Sequence, residues 1–254
     1  MSGRLKRMLC CLAVASLIVM PVSAKESGGV EKKGVSQSPS ALKILDRAYG
    51  YLESLKSFKF KAVTDNEDIY LKKMRVTLTH EVEVELKRPD KLMVDISGNV
   101  KNRRYYLNGK NFVMIDKKRG YYGELEVPQG VDAALDYLFE KYDIKTPLAN
   151  LLYSDLKQRI LPKKEGVYFG SVTVDGTICD YIGFRDKYKE LQVWISKGDE
   201  PLIRKFVLID KGSGKSLRSS TTIEWSTKED ISDDEFVFKA PEGSVKISVE
   251  SPRR

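Results

Sequence analysis

Residues 74–86 read MRVTLTHEVEVEL, and this stretch decides the fold. The even positions carry Met, Val, Leu, His, Val, Val and Leu, whereas the odd positions carry Arg, Thr and Glu. Successive side chains of a β-strand point to opposite faces of a sheet, so the alternation predicts one strand with an apolar face and a polar face. The predicted strand is more than twice the usual length of about 5–6 residues. We therefore expect a large sheet with this strand as its spine.

Further strands are predicted after this stretch. Leu92, Val94 and Ile96 repeat the alternation beyond Pro89-Asp90. Asn108-Gly109 is typical of a two-residue hairpin turn between two strands. The other predicted strands cover residues 105–106, 112–115, 120–125, 167–174, 178–184, 191–195, 202–209, 220–225 and 236–238. Because tight turns separate most of these strands, we expect neighbouring strands to run antiparallel.

Helices are predicted before the first strand and in the middle of the chain. Spacings of three and four residues give each helix one apolar face. The N-terminal helix follows Ser40, a plausible cap, and its apolar residues are Leu42, Leu45, Tyr49, Leu52 and Leu55. The central helix has Val131, Leu135, Leu138, Phe139 and Tyr142 on one face. Pro147 opens a second short helix through Leu148, Leu151 and Leu152.

The order of elements defines the predicted fold class. One helix, about six strands, two helices and about six strands follow one another along the chain. Helices with strongly apolar faces must cover part of the sheet. We therefore predict a mainly β (α+β) fold, in which a strongly curved antiparallel half-barrel sheet carries the N-terminal helix and a central helical lid on its concave face.

The N-terminus predicts export. Arg4, Lys6 and Arg7 precede the uncharged apolar run 8–20, and Val22-Ser23-Ala24 places small residues before a cleavage point. The run is too short for a bilayer core, which needs about 20 apolar residues. We expect a cleavable signal peptide at 1–24, a flexible tether at 25–39 and a single domain at 40–250 in the periplasm. An uncleaved membrane anchor is the alternative.

Composition narrows the chemistry of the exported domain. Cleavage would remove three positive charges and lower the net charge of the chain from +8 to +5. Cys179 would be the only remaining cysteine, and His80 is the only histidine of the chain. We interpret both as packed residues, because neither has the partners of a soft-metal site or a nucleophile. The sequence thus predicts no enzyme activity, no cofactor, no metal site and no nucleic-acid partner.

Motifs at the ends and in the interior resemble known families. Leu52-Glu53-Ser54-Leu55-Lys56-Ser57-Phe58 and Phe236-Val237-Phe238-Lys239-Ala240-Pro241-Glu242-Gly243 resemble the LolA/LolB superfamily of periplasmic lipoprotein carriers. The interior resembles more closely an uncharacterised, related family of predicted periplasmic proteins. Four motifs carry that likeness: Arg88-Pro89-Asp90-Lys91-Leu92, Leu151-Leu152-Tyr153-Ser154-Asp155, Val174-Asp175-Gly176-Thr177-Ile178-Cys179 and Pro201-Leu202-Ile203-Arg204-Lys205. The resemblance implies a half-barrel with a helical lid that encloses a cavity for acyl chains.

The predicted function is therefore binding or carriage of a hydrophobic ligand: a lipid, a lipoprotein acyl chain or another apolar molecule. The predicted ligand-binding residues come from the long strand and the central helices: Val76, Leu78, Val82, Val84, Leu135, Leu138, Phe139 and Leu151. Arg103-Arg104 and Lys117-Lys118-Arg119 are candidates for transient contact with a membrane or an envelope protein. The alternative is a non-catalytic envelope sensor or scaffold that binds a protein partner and has a filled core.

Overall fold

A long β-hairpin is the centre of the fold. The computed structural model describes residues 39–71, 73–99, 101–212 and 216–252. Strands β1 (Ser57–Tyr70) and β2 (Met74–Lys87) pair antiparallel along their whole length. The even-numbered residues of both strands share one face, as in the pair formed by Phe60 and Val84. The predicted long strand is confirmed, because β2 begins at Met74 and ends one residue beyond Leu86.

The other strands extend the hairpin into one open, curved sheet. Their bounds are β3 (Lys91–Gly98), β4 (Arg103–Asn108), β5 (Asn111–Asp116), β6 (Tyr121–Glu126), β7 (Val167–Val174), β8 (Thr177–Arg185), β9 (Lys189–Ser196), β10 (Ile203–Asp210), β11 (Leu217–Ser226) and β12 (Val245–Lys246). Among the described residues, the sheet has twelve strands in the order β12-β6-β5-β4-β3-β2-β1-β11-β10-β9-β8-β7. The long hairpin therefore joins two antiparallel meanders, β1–β6 and β7–β11.

Helices lie before the sheet and between the two meanders. They are α1 (Ala41–Ser54), α2 (Val131–Tyr142), a 3-10 helix (Ala149–Leu151), α3 (Leu156–Ile160) and a second 3-10 helix (Asp233–Phe236). The Ser40 hydroxyl caps α1 by accepting from the backbone N–H of Lys43 at 3.2 Å. Glu165 accepts from the Ser40 hydroxyl and from the backbone N–H of Leu42, both at 2.9 Å. Two contacts distant in sequence thus fix the start of α1.

The structure corrects four details of the sequence prediction. The helix expected after Pro147 is a 3-10 turn followed by the separate helix α3. The strand expected at 236–238 is absent from the described structure, where a 3-10 helix ends at Phe236. The sheet is not wholly antiparallel, because β12 pairs parallel to β6. The hairpin turn between β4 and β5 consists of Gly109 and Lys110, with Gly109 at φ 62°, one residue later than Asn108-Gly109.

One hydrophobic core joins the helices to the even-numbered face of the central strands. Its largest fully buried side chains come from β1 (Phe58, Phe60), β2 (Leu86), β3 (Ile96), β4 (Leu107), β8 (Ile182), the helices (Leu45, Leu52, Leu138, Leu156) and the segment between α2 and α3 (Leu152). A smaller cluster of Met93, Ile231 and Phe236 is supported by Tyr106. The mainly β fold with a curved, open sheet is confirmed. The position of the central helices as a lid on the concave face stays a prediction.

Other expectations concern the termini and the cysteine. The predicted signal peptide and nearly all of the predicted tether lie outside the described residues. Within the described ranges, no helix has the length and apolar content needed to cross a membrane. Cys179 is fully buried, and burial raises the pKa of its thiol. The interpretation of Cys179 as a packed residue is confirmed.

Candidate ligand-binding site

Burial changes along the apolar face of β2. Leu86, Val84 and Val82 are buried under the helices, with exposed fractions of 0%, 1% and 0%. The next even-numbered residues, from His80 to Val76, are only half buried, and Met74 is 58% exposed. The helices therefore cover only part of the apolar face. The candidate site lies where the cover ends.

A pocket of about 200 Å³ lies at this boundary. Leu78 of β2, Ile96 of β3 and Pro147, from the segment that follows α2, form its apolar lining. Its polar lining consists of Asn66, Thr79, His80 and Lys101. The described residues that line it include one imidazole and neither a carboxylate nor a thiol. Such an arrangement suits binding of an apolar group next to a polar one.

The structure places the eight predicted site residues in three environments. Val82, Val84, Leu135, Leu138 and Leu151 are buried in the main core. Leu78 lines the pocket, and Val76 is half buried one step nearer to the hairpin tip. Phe139 is 52% exposed. Only Leu78 of the predicted set therefore contacts the open space of this pocket.

Phe139 is not on the buried face of α2. That face consists of Val131, Ala134, Leu135 and Leu138. Adjacent positions on a helix lie about 100° apart, so a face centred between Leu135 and Leu138 turns Phe139 toward solvent. The Lys145 ammonium lies 5.8 Å from the centroid of its ring. The spacing of apolar residues in α2 does not by itself show that Ala134, rather than Phe139, lies on the buried face.

Arg88 connects segments that are far apart in sequence. Its guanidinium donates to three backbone carbonyls: Leu55 at 3.1 Å, Leu152 at 3.0 Å and Tyr153 at 3.1 Å. Burial lowers the pKa of Arg88, and the charges of Asp132 and Glu53 oppose that shift. Arg88, from the Arg-Pro-Asp-Lys-Leu motif, thus forms hydrogen bonds to the Leu-Leu-Tyr-Ser-Asp motif. Sequence reasoning missed this role, although both motifs had been noticed.

Two carboxylates of α2 bind the same Leu-Leu-Tyr-Ser-Asp segment. Asp132 accepts from the backbone N–H of Ser154 at 3.1 Å and from its hydroxyl at 2.5 Å. Asp136 accepts from the Tyr153 hydroxyl at 2.9 Å and from Arg159 at 3.0 Å. Burial, followed by the bond to Asp136, raises the pKa of Tyr153 to about 12. These polar contacts therefore tie α2 to the 153–159 segment, in addition to the apolar packing of both within the main core.

The connection between α2 and the 3-10 helix, residues 143–148, is strained. Asp143 and Leu148 have positive φ angles of 51° and 56°. A left-handed backbone costs about 1–2 kcal/mol for a residue with a Cβ. Pro147, next to Leu148, lines the pocket. The segment nearest the open space is thus under backbone strain at Leu148, whereas Asp143 is the left-handed C-cap of α2, a conformation that Asp tolerates.

The basic residues predicted as a contact patch are mostly paired. Arg104 and Lys117 both bind the buried carboxylate of Asp95. Arg119 pairs with Asp116 at 3.3 Å. Among the described residues, no group of three or more His, Cys, Asp or Glu side chains could hold a metal ion. Among the described residues that line the candidate pocket, Lys101 is the one with an ammonium or guanidinium group.

The fold and the site define a class: a half-barrel protein whose apolar sheet face is covered by helices over part of its length. Residues 41–250 match the family described as "Predicted periplasmic protein (DUF2092)", and the chain belongs to that family. The sequence resemblance to a family of predicted periplasmic proteins is confirmed. No curated protein matches the sequence.

Solved structures similar to this chain include proteins from three bacteria. The lipoprotein LppX of Mycobacterium tuberculosis has 12% identity and a TM-score of 0.46, and the match covers 76% of this chain and 98% of that one. The LolA superfamily protein NE2245 of Nitrosomonas europaea has 10% identity, a TM-score of 0.39 and coverages of 79% and 99%. LprF of Mycobacterium bovis has 10% identity, a TM-score of 0.45 and coverages of 76% and 96%.

Proposed function

We propose that this protein binds the acyl chain of a lipid or lipoprotein at the boundary pocket, without catalysis, in the periplasm. One observation carries the proposal: the apolar face of β2 continues past the helices, from Leu78 to Met74, into solvent. Apolar surface left uncovered in a soluble domain is typical of ligand or partner sites. Burying each methylene of a chain contributes about 0.8 kcal/mol, or on the order of 10 kcal/mol for 16 carbons before entropy costs.

Binding of a full chain requires movement. The pocket of about 200 Å³ is smaller than typical ligand sites of about 300–1,000 Å³. The strained 143–148 connection carries Pro147 over this pocket, so its displacement would enlarge the open space. We propose that residues 143–152 act as a lid and that the Arg88 contacts to Leu152 and Tyr153 hold its base.

The hairpin tip is the proposed contact with the membrane. The last described pair between β1 and β11 is at Asn66, and the last between β2 and β3 is at His80. From there to the tip, the described strand pairing joins β1 and β2 only to each other. At the end, Tyr70, Leu71 and Met74 are 57%, 75% and 58% exposed. Lys73 adds positive charge beside them. An aromatic, an aliphatic and a basic residue together suit the interface of an anionic bilayer.

Fluorescent fatty-acid titration of the exported protein tests the binding proposal. Leu78→Asp places a charge in the pocket, and we expect at least a tenfold loss of affinity, because about 1.4 kcal/mol is a factor of ten. Thr77→Asp is the matched control, since Thr77 is the preceding residue on the opposite, exposed face. Equal affinities of the two variants would contradict the proposed site. Mass analysis of the same sample should give an N-terminus at Lys25, whereas retention of residues 8–20 would indicate an anchored protein.

An envelope scaffold is the second candidate function. The covered half of the hairpin favours it, because Phe58, Phe60 and Leu138 are buried in the core shared by sheet and helices. A scaffold would keep residues 143–152 closed. Amide exchange there as slow as in β2, together with no binding of the acyl probe, would support the scaffold over the carrier. Faster exchange that slows when lipid is added would support the carrier.

A further inference from the structure

The boundary pocket has a polar end with an excess of positive charge. Lys101 lines the pocket and makes no hydrogen bond or ion pair with any of the described residues. It lies close enough to His80 for its charge to affect the imidazole. Asp65, a nearby carboxylate, is on the opposite face of β1 and accepts from the Thr79 hydroxyl at 2.6 Å. Lys101 is exposed, so its ammonium is a solvated charge without a carboxylate partner among the described residues, beside a pocket with both apolar and polar lining.

His80 offers a second donor at this end. The amide nitrogen of Asn66 donates to Nδ1 of His80 over 3.5 Å. In the tautomer that accepts this bond at Nδ1, the neutral imidazole carries its proton on Nε2. Burial first, and the charge of Lys101 second, lower the pKa of His80, so this neutral form is the relevant one near pH 7. An N–H donor and an ammonium are thus available to a ligand in the same pocket.

Gly98 makes room for this arrangement. It lies directly opposite His80 in the β2–β3 ladder. A Cβ at position 98 would stand 2.6 Å from the Cβ of His80, which is closer than real Cβ contacts allow. The glycine therefore lets β3 pass His80 without displacing the imidazole. His80, Asn66 and Gly98 come from three adjacent strands, and Lys101 comes from the connection between β3 and β4.

We propose that this pocket selects an acyl chain that ends in an anionic head group, with Lys101 and His80 Nε2–H as donors to the anion and Leu78, Ile96 and Pro147 against the methylenes. The inference rests on the proposed function, because it names the chemical class of the same ligand. A carboxylate and a phosphate share the chemistry that an ammonium and an N–H donor recognise. A neutral head group would leave the exposed ammonium of Lys101 with water alone and would gain no charge-assisted hydrogen bond from it.

The test compares cis-parinaric acid with its methyl ester, which has the same chain and no charge. We expect the native protein to bind the acid about tenfold more tightly than the ester. Lys101→Met should remove this preference by weakening only the acid, and Lys101→Arg should keep it. Lys110→Met is the matched control, since Lys110 is an exposed lysine in the β4–β5 turn. Displacement of the probe by palmitate or by lysophosphatidic acid then identifies carboxylate or phosphate as the preferred anion.

Two outcomes overturn the inference and are distinguishable from each other. If acid and ester bind equally, or if Lys101→Met weakens both to the same extent, the head-group selection is wrong while the acyl-binding function stands. If neither compound binds, the proposed function fails and the selection fails with it. Binding of the acid alone, with loss in Lys101→Met and retention in Lys101→Arg, supports the inference.

Discussion

The two halves of β2 have the same alternating sequence pattern and opposite environments, whereas the even-numbered face of β1 turns polar at Asn66 and Asp68 in the uncovered half. In the covered half, Phe58 and Phe60 pair with Leu86 and Val84 beneath the helices, and all four side chains are buried. In the uncovered half, Tyr70 pairs with Met74, and both side chains are more than half exposed. The comparison shows that one amphipathic strand contributes to the core over one half and leaves apolar side chains exposed over the other. The candidate pocket lies between the covered and the uncovered half.

The difference has an energetic meaning. Burial of a large apolar side chain contributes about 1.5–3 kcal/mol. The covered half gains this free energy on folding, whereas residues such as Leu78 and Met74 gain only part of it. The remainder becomes available when a ligand or a membrane covers them. Substitutions in the two halves should therefore affect different measurements.

The largest expected effect is an acidic substitution in the covered half. Val84→Asp would bury an unpaired charge, and we expect a loss of about 4 kcal/mol or more in the free energy of unfolding. Met74→Asp, on the same face of β2 in the uncovered half, should change it by less than about 0.5 kcal/mol. Glu83→Lys, on the opposite face, should be equally mild. Urea unfolding measures all three, and similar losses for Val84→Asp and Met74→Asp would contradict the division into halves.

Substitution of a buried residue in α2 should have the next largest effect on the free energy of unfolding. Leu138→Ala should destabilise the protein by about 2–5 kcal/mol, because the side chain is fully buried in the core. Phe139→Ala, at the adjacent and exposed position, should cost less than about 1 kcal/mol. Thermal or urea unfolding of the pair checks the orientation of α2. A larger loss of stability for Phe139→Ala than for Leu138→Ala would show that α2 packs with Phe139 toward the core.

The Arg88 contacts should have a moderate effect that is local to the cover. Arg88→Lys leaves at least one of three carbonyls without its donor, which costs about 1–3 kcal/mol. We expect amide exchange to accelerate at Leu152–Leu156 more than in β2. The matched control is Arg119→Lys, whose arginine bonds to Asp116 within the same turn. Uniform acceleration across the sheet would mean that Arg88 supports the whole fold rather than the central segment.

The smallest expected effect is a pH dependence at the boundary. Burial lowers the pKa of His80 in the folded protein below its ordinary value of 6.5. As the pH falls through 6.5, the unfolded chain takes up the proton first, so this contribution to stability is present above 6.5 and is lost toward the lowered pKa. The melting temperature of His80→Gln should therefore fall less between pH 7.5 and 5.5 than that of the native protein. Equal falls would indicate a fully solvated imidazole.

Local patterns predicted the elements of regular structure well. The bounds of α2 follow from apolar spacing between Val131 and Tyr142, and the alternation from Met74 onward defines β2. The segment after Pro147 was harder, because a 3-10 turn and α3 are held by contacts from Arg88, Asp132 and Glu53 rather than by their own pattern. β12 is equally invisible in sequence, since it forms only by pairing with β6. Of the predicted site, Leu78 lines the pocket, but Asn66, Ile96 and Lys101 could not be foreseen from single positions.

The sequence by itself determined that the chain is mainly β and which residues of each strand lie on its apolar and polar faces. Its motifs also placed it among predicted periplasmic proteins. These properties depend on neighbours within a few residues, where strand and helix periods act. Only the tertiary structure decided how far the helices cover the apolar face of β2, which edge of α2 is buried, and that Lys101 and His80 meet at one pocket. Those properties depend on packing between segments 20 to 120 residues apart, as in the contact between Glu53 and Lys157. The alternation of β2 is the same on both sides of the boundary, so no local pattern marks where its apolar face is no longer covered by the helices.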